Sequence, residues 1–176
     1  MSRQVPTNRT EQVLDHVGQR RQQWARELPD VDTTGMAVLG RARWITLRVR
    51  PPIESVFARY GLDAGEFDVL ATLLRAGRPY RMRPTELFQS LMISSGGLTN
   101  RLARLEAAGL VSRPLSEADS RSLLAELTPA GRRVAEAAFR EDMRVEADLL
   151  KGLTKAETRQ LALLLAKLAS SLAVRT

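Results

Sequence analysis

Apolar residues recur at intervals of three and four along most of this chain, the spacing that places them on one face of an α-helix. The first such stretch covers residues 10–28 and stops at Pro29. A longer one covers residues 34–60, and we expect Pro51-Pro52 to kink or break it because proline lacks a backbone donor and clashes with the preceding turn. The chain therefore begins with two predicted helices.

Start and stop signals divide the next part of the chain into shorter elements. Asp63 and Glu66 form a capping-box pattern, which opens a helix that ends near residue 77. After a basic turn at residues 78–81, a short helix is predicted over 83–91 and a longer one over 94–108. Only two or three residues separate these two helices, as is typical of a helix-turn-helix.

Two short strands are predicted after this pair of helices, over residues 110–113 and 122–127, with a polar loop between them. Thr128 is then an N-cap before a proline, so a helix begins there and continues to about residue 150. Another capping box opens a last helix that ends near residue 173. The predicted fold class is mainly α with a small β-hairpin, and so few strands exclude a sheet enzyme.

Composition argues against most kinds of enzyme. Cysteine is absent and His16 is the only histidine, so thiol catalysis and a zinc site built on Cys or His are excluded. No phosphate-binding loop or nucleophile motif is present. We therefore predict a protein that is not an enzyme, with no catalytic residues, no cofactor and no metal site.

Charge and hydropathy indicate the kind of partner. The net charge is +7, and almost all of the positive charge is arginine, whose planar donor fork suits phosphate recognition. A GC-rich genome would also raise the share of arginine. No apolar stretch approaches the ~20 residues needed to cross a bilayer, and the N-terminus lacks the apolar core of a secretion signal. A cytoplasmic location without a membrane partner is expected.

A motif in the predicted hairpin and the helix after it resembles the MarR family of regulators. It consists of Asp-x-Arg at Asp119 and Arg121, followed by Leu-Thr-x-x-Gly at Leu127, Thr128 and Gly131. The similarity covers roughly residues 35–173. It implies a winged helix-turn-helix fold that is dimeric through its N- and C-terminal helices. The implied organisation is an N-terminal extension helix over 1–33, dimerisation helices over 34–61 and 129–176, and a DNA-binding region over 62–128.

The predicted helix over 94–108 supplies most of the candidate DNA-binding residues. Leu98, Leu102 and Leu105 can face the core, which leaves polar side chains for the outer face. These polar residues are Ser95, Thr99, Asn100, Arg101 and Arg104. Asparagine can pair with adenine and arginine with guanine. The resemblance implies that Arg121 enters the minor groove and that Asp119 orients it. The alternatives are a solvated arginine face on the helix and a plain surface ion pair in the loop.

Four further residues resemble those of MarR regulators that respond to urate. That subgroup has an extra N-terminal helix with a tryptophan. It also has an aspartate and an arginine seven residues apart in the helix before the helix-turn-helix, and an arginine just after the recognition helix. Trp24, Asp68, Arg75 and Arg113 are at the matching positions. Asp68 and Arg75 would share a helix face, about 10 Å apart along the axis. Guanidinium groups can bind the flat urate anion through charge and paired hydrogen bonds. Each residue also has an ordinary structural explanation, such as complementing the helix dipole.

The predicted function is a sequence-specific DNA-binding transcription regulator of the repressor type. As a homodimer it would bind double-stranded DNA at a pseudo-palindromic operator. A small anionic ligand, urate or a related purine such as xanthine, would relieve that binding. Two alternatives stay open. One is a MarR-type regulator that responds to an aromatic or phenolic compound, and the other is a helical interaction protein without a DNA function.

Overall fold

The structure is a computed structural model that describes residues 15–91, 97–115 and 123–173. These residues form seven helices and three short strands. The helices are α1 (His16–Glu27), α2 (Thr34–Arg59), α3 (Ala64–Arg75), α4 (Pro84–Ser90), α5 (Leu98–Ala107), α6 (Pro129–Leu149) and α7 (Lys155–Ala173). The strands are β1 (Arg81–Met82), β2 (Val111–Ser112) and β3 (Ala125–Leu127). The chain divides into two compact units, Met1–Arg50 and Pro51–Thr176.

In the first unit, α1 packs against the N-terminal part of α2. Asp15 is the N-cap of α1, and its carboxylate accepts a hydrogen bond from the Gly18 amide at 2.8 Å. The same carboxylate accepts from Nε and Nη2 of Arg41 on α2, at 2.8 and 2.9 Å. Val17 is buried at the point of closest approach, where a Cβ on Gly40 would lie 3.3 Å from Val17 Cγ1. One aspartate therefore caps the first helix and ties it to the second.

The two prolines of α2 do not end the helix. We expected a kink or a break at Pro51-Pro52, but α2 runs from Thr34 to Arg59 with both prolines inside it. Of the two predicted outcomes, a break is therefore wrong, and a kink stays a prediction. Adjacent prolines remove backbone donors at one point only, and the hydrogen-bonded turns before and after that point carry the helix on.

The hydrophobic core of the second unit lies around α3, most of whose residues are buried. The predicted capping box at the start of α3 is confirmed, because Asp63 and Glu66 each accept a hydrogen bond from the other's backbone amide, at 2.7 and 2.8 Å. Phe67 stacks on Phe57 from the end of α2, with ring centroids 4.0 Å apart. α3 also contacts α4, α5, α6 and β3. The helices around α3 are thereby held to one core.

The three strands form a small antiparallel sheet in the order β1-β3-β2. Pairing of β2 with β3 confirms the predicted hairpin, with Val111 opposite Leu127. β1 is an addition, because residues 78–81 were expected to be only a turn, yet Arg81 pairs with Glu126. Tyr80, which has φ 63°, accepts a hydrogen bond from the Leu127 amide at 3.0 Å. The fold class, mainly α with a small β wing, is confirmed with this extra strand.

Helix α5 begins later than expected. We predicted a helix from residue 94, but Gly97 has φ 82° and is the N-cap of a helix that starts at Leu98. An α-helix cannot continue through a left-handed residue, so α5 begins at Leu98; residues 94–96 of the predicted helix lie outside the described residues. The start of α6 agrees with prediction, because this helix follows its Thr128 N-cap, and α7 is described from Lys155 to Ala173. Among the helices that the structure describes, none is long and apolar enough to cross a membrane.

Candidate nucleic-acid interface

The N-terminal end of α5 presents polar side chains to solvent. Leu98, Leu102 and Leu105 are all buried in the core, which confirms the predicted inner face. Thr99 and Asn100 are exposed on the opposite side. They border an open groove of about 490 Å³ between α4 and α5. Its other lining residues are Pro84, Thr85, Phe88, Gln89, Gly97 and Leu98. Two of the candidate DNA-binding residues therefore lie together at an accessible helix end.

Arg104, another predicted reading residue, is held by α3. Its Nε donates to Oε1 of Glu66 at 2.6 Å, and its Nη2 donates to Oδ2 of Asp63 at 2.8 Å. The hydrogen bond to Glu66 raises the pKa of the Arg104 guanidinium above its ordinary value. The structure therefore shows this arginine bound to two carboxylates of its own chain, while its role toward DNA stays a prediction.

Arg101 lies against the same turn of α3. A Cβ built on Gly65 would be 2.5 Å from Cζ and 2.8 Å from Nη2 of Arg101, so the guanidinium fills the space above this glycine. Gly65 is buried. The absence of a side chain at this position is therefore what lets the arginine lie on the helix. No sequence pattern indicated this contact, because the two residues are far apart in the chain.

The tip of the wing, with Asp119 and Arg121, lies outside the described residues, as does Ser95. Their assignment to DNA binding stays a prediction. The base of the wing is described: Leu115 and Leu123 form an antiparallel bridge, and the Leu124 amide donates to the Pro114 carbonyl at 2.8 Å. The hairpin therefore continues beyond β2 and β3 toward those two residues.

The Leu-Thr-x-x-Gly motif fixes the base of the wing to α5 and α6. The Thr128 hydroxyl accepts from the Gly131 amide at 3.0 Å and donates to the Gly109 carbonyl at 2.7 Å. The Thr128 amide donates to the Leu110 carbonyl at 3.1 Å. A Cβ on Gly131 would lie 2.8 Å from the Leu110 carbonyl carbon and closer still to its oxygen. Leu127 is buried. These residues thus have a structural role at the junction of three elements, which the sequence interpretation used only as a family signature.

The four candidate ligand residues are in different environments. Asp68 is buried in α3, whereas Arg75, at the end of the same helix, is exposed and donates to the Ser90 carbonyl at the end of α4. Arg113 donates from Nε to the Leu124 carbonyl at 3.0 Å, across the wing. Trp24 belongs to the first unit and is half exposed. Arg75 and Arg113 therefore also serve as structural links, and the ligand role of all four stays a prediction.

Further grooves were missed by the sequence interpretation, and two of them contain aromatic rings beside arginines. One, in the first unit, is lined by His16 and Trp44, whose ring centroids are 5.0 Å apart, with the Arg48 guanidinium 5.1 Å from the Trp44 ring. The other lies where β3 meets α6. It is lined by Arg78, Pro79, Tyr80, Glu126, Leu127, Thr128, Pro129, Arg132, Arg133 and Glu136. In the second groove the Arg132 guanidinium lies 5.0 Å from the ring of Tyr80, from which it is distant in sequence.

Comparison with known proteins finds similarity to one group of regulators. A protein-family model described as MarR family matches residues 60–122. The HTH-type transcriptional regulator PecS of Dickeya dadantii is 38% identical over 146 residues, which cover 83% of this chain and 88% of that protein. The HTH-type transcriptional repressor Rv2887 of Mycobacterium tuberculosis is 31% identical over 122 residues, covering 69% of this chain and 86% of its own length.

A solved structure extends this similarity to three dimensions. The crystal structure of mutant MarR from E. coli complexed with operator DNA matches with a TM-score of 0.64 and 26% identity. The match covers 82% of this chain and 96% of that chain. The likeness therefore extends well beyond the helix-turn-helix.

Proposed function

The chain belongs to the MarR family of transcription regulators, and from this premise we propose that it binds operator DNA as a homodimer, acts as a repressor, and is released by a small anionic ligand. The observation that carries the DNA-binding part is the accessible N-terminal end of α5, where Thr99 and Asn100 are exposed above a buried leucine face. The relatives described above are regulators, which agrees with the interpretation that this chain is not an enzyme.

The proposed contacts follow from the chemistry of this helix end. α5 enters the major groove with Thr99 and Asn100 leading, and an asparagine amide can pair with the N6 and N7 of adenine. Ser95 and Arg101 extend this set. Arg121 of the wing enters the minor groove, whose negative potential attracts arginine, and Asp119 orients it. The net charge of +7 supplies attraction to the phosphates that does not depend on sequence.

The last helix supports the proposed dimer. No described residue of α7 is buried within the single chain. Five of its leucines follow at helical spacing and share one face. They are Leu161, Leu164, Leu165, Leu168 and Leu172. A second copy would cover such an apolar face, and a two-fold dimer would read two half-sites about one turn of DNA apart.

For the ligand, we propose urate or a related purine anion, with Asp68, Arg75 and Arg113 of the second unit in its site; a ligand role for Trp24, in the first unit, stays a prediction from the sequence. Support comes from the two arginines, which could bind a planar anion through paired charged hydrogen bonds. Arg75 contacts the end of α4 and Arg113 contacts the wing, so a ligand that drew either arginine away would disturb the DNA-binding elements. An aromatic or phenolic anion is the competing ligand class.

The DNA proposal is tested by selecting duplexes from a random-sequence pool with the wild-type protein. Binding of the selected duplex and of a scrambled duplex is then compared at fixed salt. Asn100→Ala should reduce the preference for the selected duplex, by about 1–3 kcal/mol if the amide pairs with adenine. Gln160→Ala, which removes another exposed helical amide, is the control and should leave it unchanged. Equal binding of both duplexes by the wild type would refute sequence-specific recognition.

The ligand proposal needs a separate titration. Urate and benzoate are titrated by calorimetry into the protein and added to the preformed DNA complex. Urate should bind, release the DNA, and lose affinity in Arg75→Ala. Binding of benzoate but not urate would replace the purine with the competing class. Loss of DNA affinity in Arg75→Ala without any ligand would indicate that this arginine is only structural.

A further inference from the structure

The capping box of α3 does more than close a helix end. Asp63 and Glu66 each use one carboxylate oxygen to cap the other's backbone amide. Their second oxygens both accept hydrogen bonds from a single guanidinium, that of Arg104 on α5. The three side chains thus form a closed unit, which we call the α3–α5 clamp. It links Arg104 to Glu66 and to Asp63, which precede it by 38 and 41 residues.

The clamp adds directional hydrogen bonds to the apolar packing of α5 against the core. α5 meets the core through Leu98, Leu102 and Leu105, and burial of this stripe decides which face of the helix turns inward without adding directional bonds that fix the angle further. Charged hydrogen bonds at 2.6 and 2.8 Å from two different nitrogens of one planar group are far more directional. The Glu66 side chain is 10% exposed, so its ion pair is shielded from solvent on one side.

The charge of the clamp argues against a direct contact of Arg104 with DNA. One guanidinium and two carboxylates carry a net charge of about −1 at neutral pH, and the Arg101 guanidinium on Gly65 of the same turn brings the local charge to about zero, so Arg104 adds no unbalanced positive charge. A phosphate that approached Arg104 would therefore also meet Asp63, which is 54% exposed beside it. The strong hydrogen bonds already made would have to break before the guanidinium could bind a base or a phosphate in the same geometry.

We propose that Arg104 is a positioning residue, which through Glu66 and Asp63 fixes the rotation at which α5 presents Thr99 and Asn100 to the operator. This inference rests on the proposed DNA-binding function. It changes the role of Arg104, which the sequence pattern placed among the candidate DNA-binding residues. Arg104, whose side chain is 55% exposed, acts on carboxylates of its own chain and not on the DNA, and sequence preference depends on a carboxylate, that of Glu66, which is 10% exposed.

The test compares Glu66→Gln, Arg104→Gln and the double variant with wild type. Glutamine at position 66 keeps an oxygen to cap the Asp63 amide but loses the charge that binds Arg104. Affinities are measured over a range of salt for the duplex that the wild type selects and for the scrambled duplex. Glu136→Gln is the matched control, because Arg132 Nε pairs with its Oε1 at 2.7 Å within α6, away from α5. Melting temperatures report any loss of folded protein.

A positioning role predicts that each single variant lowers the preference for the selected duplex by about tenfold, the effect of one charged hydrogen bond. The double variant should be no worse than either single variant, because both break the same clamp. The salt dependence should not change in Arg104→Gln. Arg104→Lys should show as low a preference for the selected duplex as Arg104→Gln, because a lysine ammonium cannot bind both carboxylates as a planar fork.

Other outcomes would overturn the inference. If Arg104 contacts phosphate, Arg104→Gln reduces the salt slope by about 1, Arg104→Lys restores binding, and Glu66→Gln binds as well as wild type or better. If the clamp only stabilises the fold, affinity for both duplexes falls together with the melting temperature. A wild-type protein with no preference between the duplexes would overturn the proposed function itself, and this inference with it.

Discussion

Replacing Gly131 by alanine should damage the junction between the wing and α6. Gly131 lies in the first turn of α6, directly against the backbone of Leu110 before β2. A Cβ there would be 2.8 Å from the Leu110 carbonyl carbon and closer still to the oxygen, a contact that the backbone can relieve only by moving about 1 Å. Because the obstacle is main chain, no rotamer change can remove the clash.

The magnitude follows from three terms. Forcing one extra carbon into a close-packed site costs about 1–3 kcal/mol. Moving the Leu110 carbonyl also weakens the hydrogen bond it accepts from the Thr128 amide at 3.1 Å, which contributes about 1 kcal/mol. Alanine in a helix is more favourable than glycine and offsets up to about 1 kcal/mol. The net loss in the free energy of unfolding is therefore about 1–3 kcal/mol, a fall in Tm of roughly 2–12 °C.

Thermal and urea denaturation at one fixed protein concentration measure this loss, since a dimer's stability depends on concentration. Gly35→Ala is the matched control, because Gly35 also lies in the first turn of a helix but has no atom within 4 Å of a built Cβ. It should leave stability unchanged or slightly higher. If Gly131→Ala is as stable as Gly35→Ala, the close contact does not constrain the junction, and steric exclusion by the Leu110 carbonyl is not why a glycine occupies this motif position.

Three further changes separate structural from functional roles. Gly65→Ala should displace the Arg101 guanidinium and lower DNA affinity. It should not lower the melting temperature, because the atoms that the new Cβ meets belong to a flexible side chain. Unchanged DNA binding would show that the position of the Arg101 guanidinium is unimportant. Burial raises the pKa of Asp142 to about 6 from an ordinary 3.8, so the folded protein binds this proton more tightly and the contribution of Asp142 to stability should fall as pH rises from about 4 to 6. Asp142→Asn should abolish that fall in calorimetry and be the more stable protein above pH 7. Leu165→Glu should produce monomers in sedimentation, whereas Leu163→Glu, on the opposite face of α7, should not; two monomeric variants would contradict the proposed leucine face.

Local signals predicted those parts of the fold that local chemistry decides. The capping box at Asp63 and Glu66 and the N-cap at Thr128 are hydrogen bonds between neighbours in sequence, and both are present. β1 was missed because a two-residue strand is too short to show alternation and is held by pairing with the distant β3, where Arg81 lies opposite Glu126. The helix does not break at Pro51-Pro52 for a related reason. The hydrogen-bonded turns on both sides stabilise α2 more than the local loss of hydrogen bonds destabilises it.

The candidate DNA-binding site shows the same division between local and distant contacts. Periodicity placed three leucines of α5 inside and left Thr99 and Asn100 outside, as observed. It could not distinguish Arg104 from these polar neighbours, because a polar residue on an outer face can meet either solvent or another helix. The partner, Glu66, is 38 residues away and had already been explained as a cap. A carboxylate has two oxygens, however, and the cap uses only one of them. A capping box that pairs an aspartate with a glutamate, as here, therefore leaves two carboxylate oxygens for a guanidinium on a neighbouring helix, which a box that begins with serine or threonine does not.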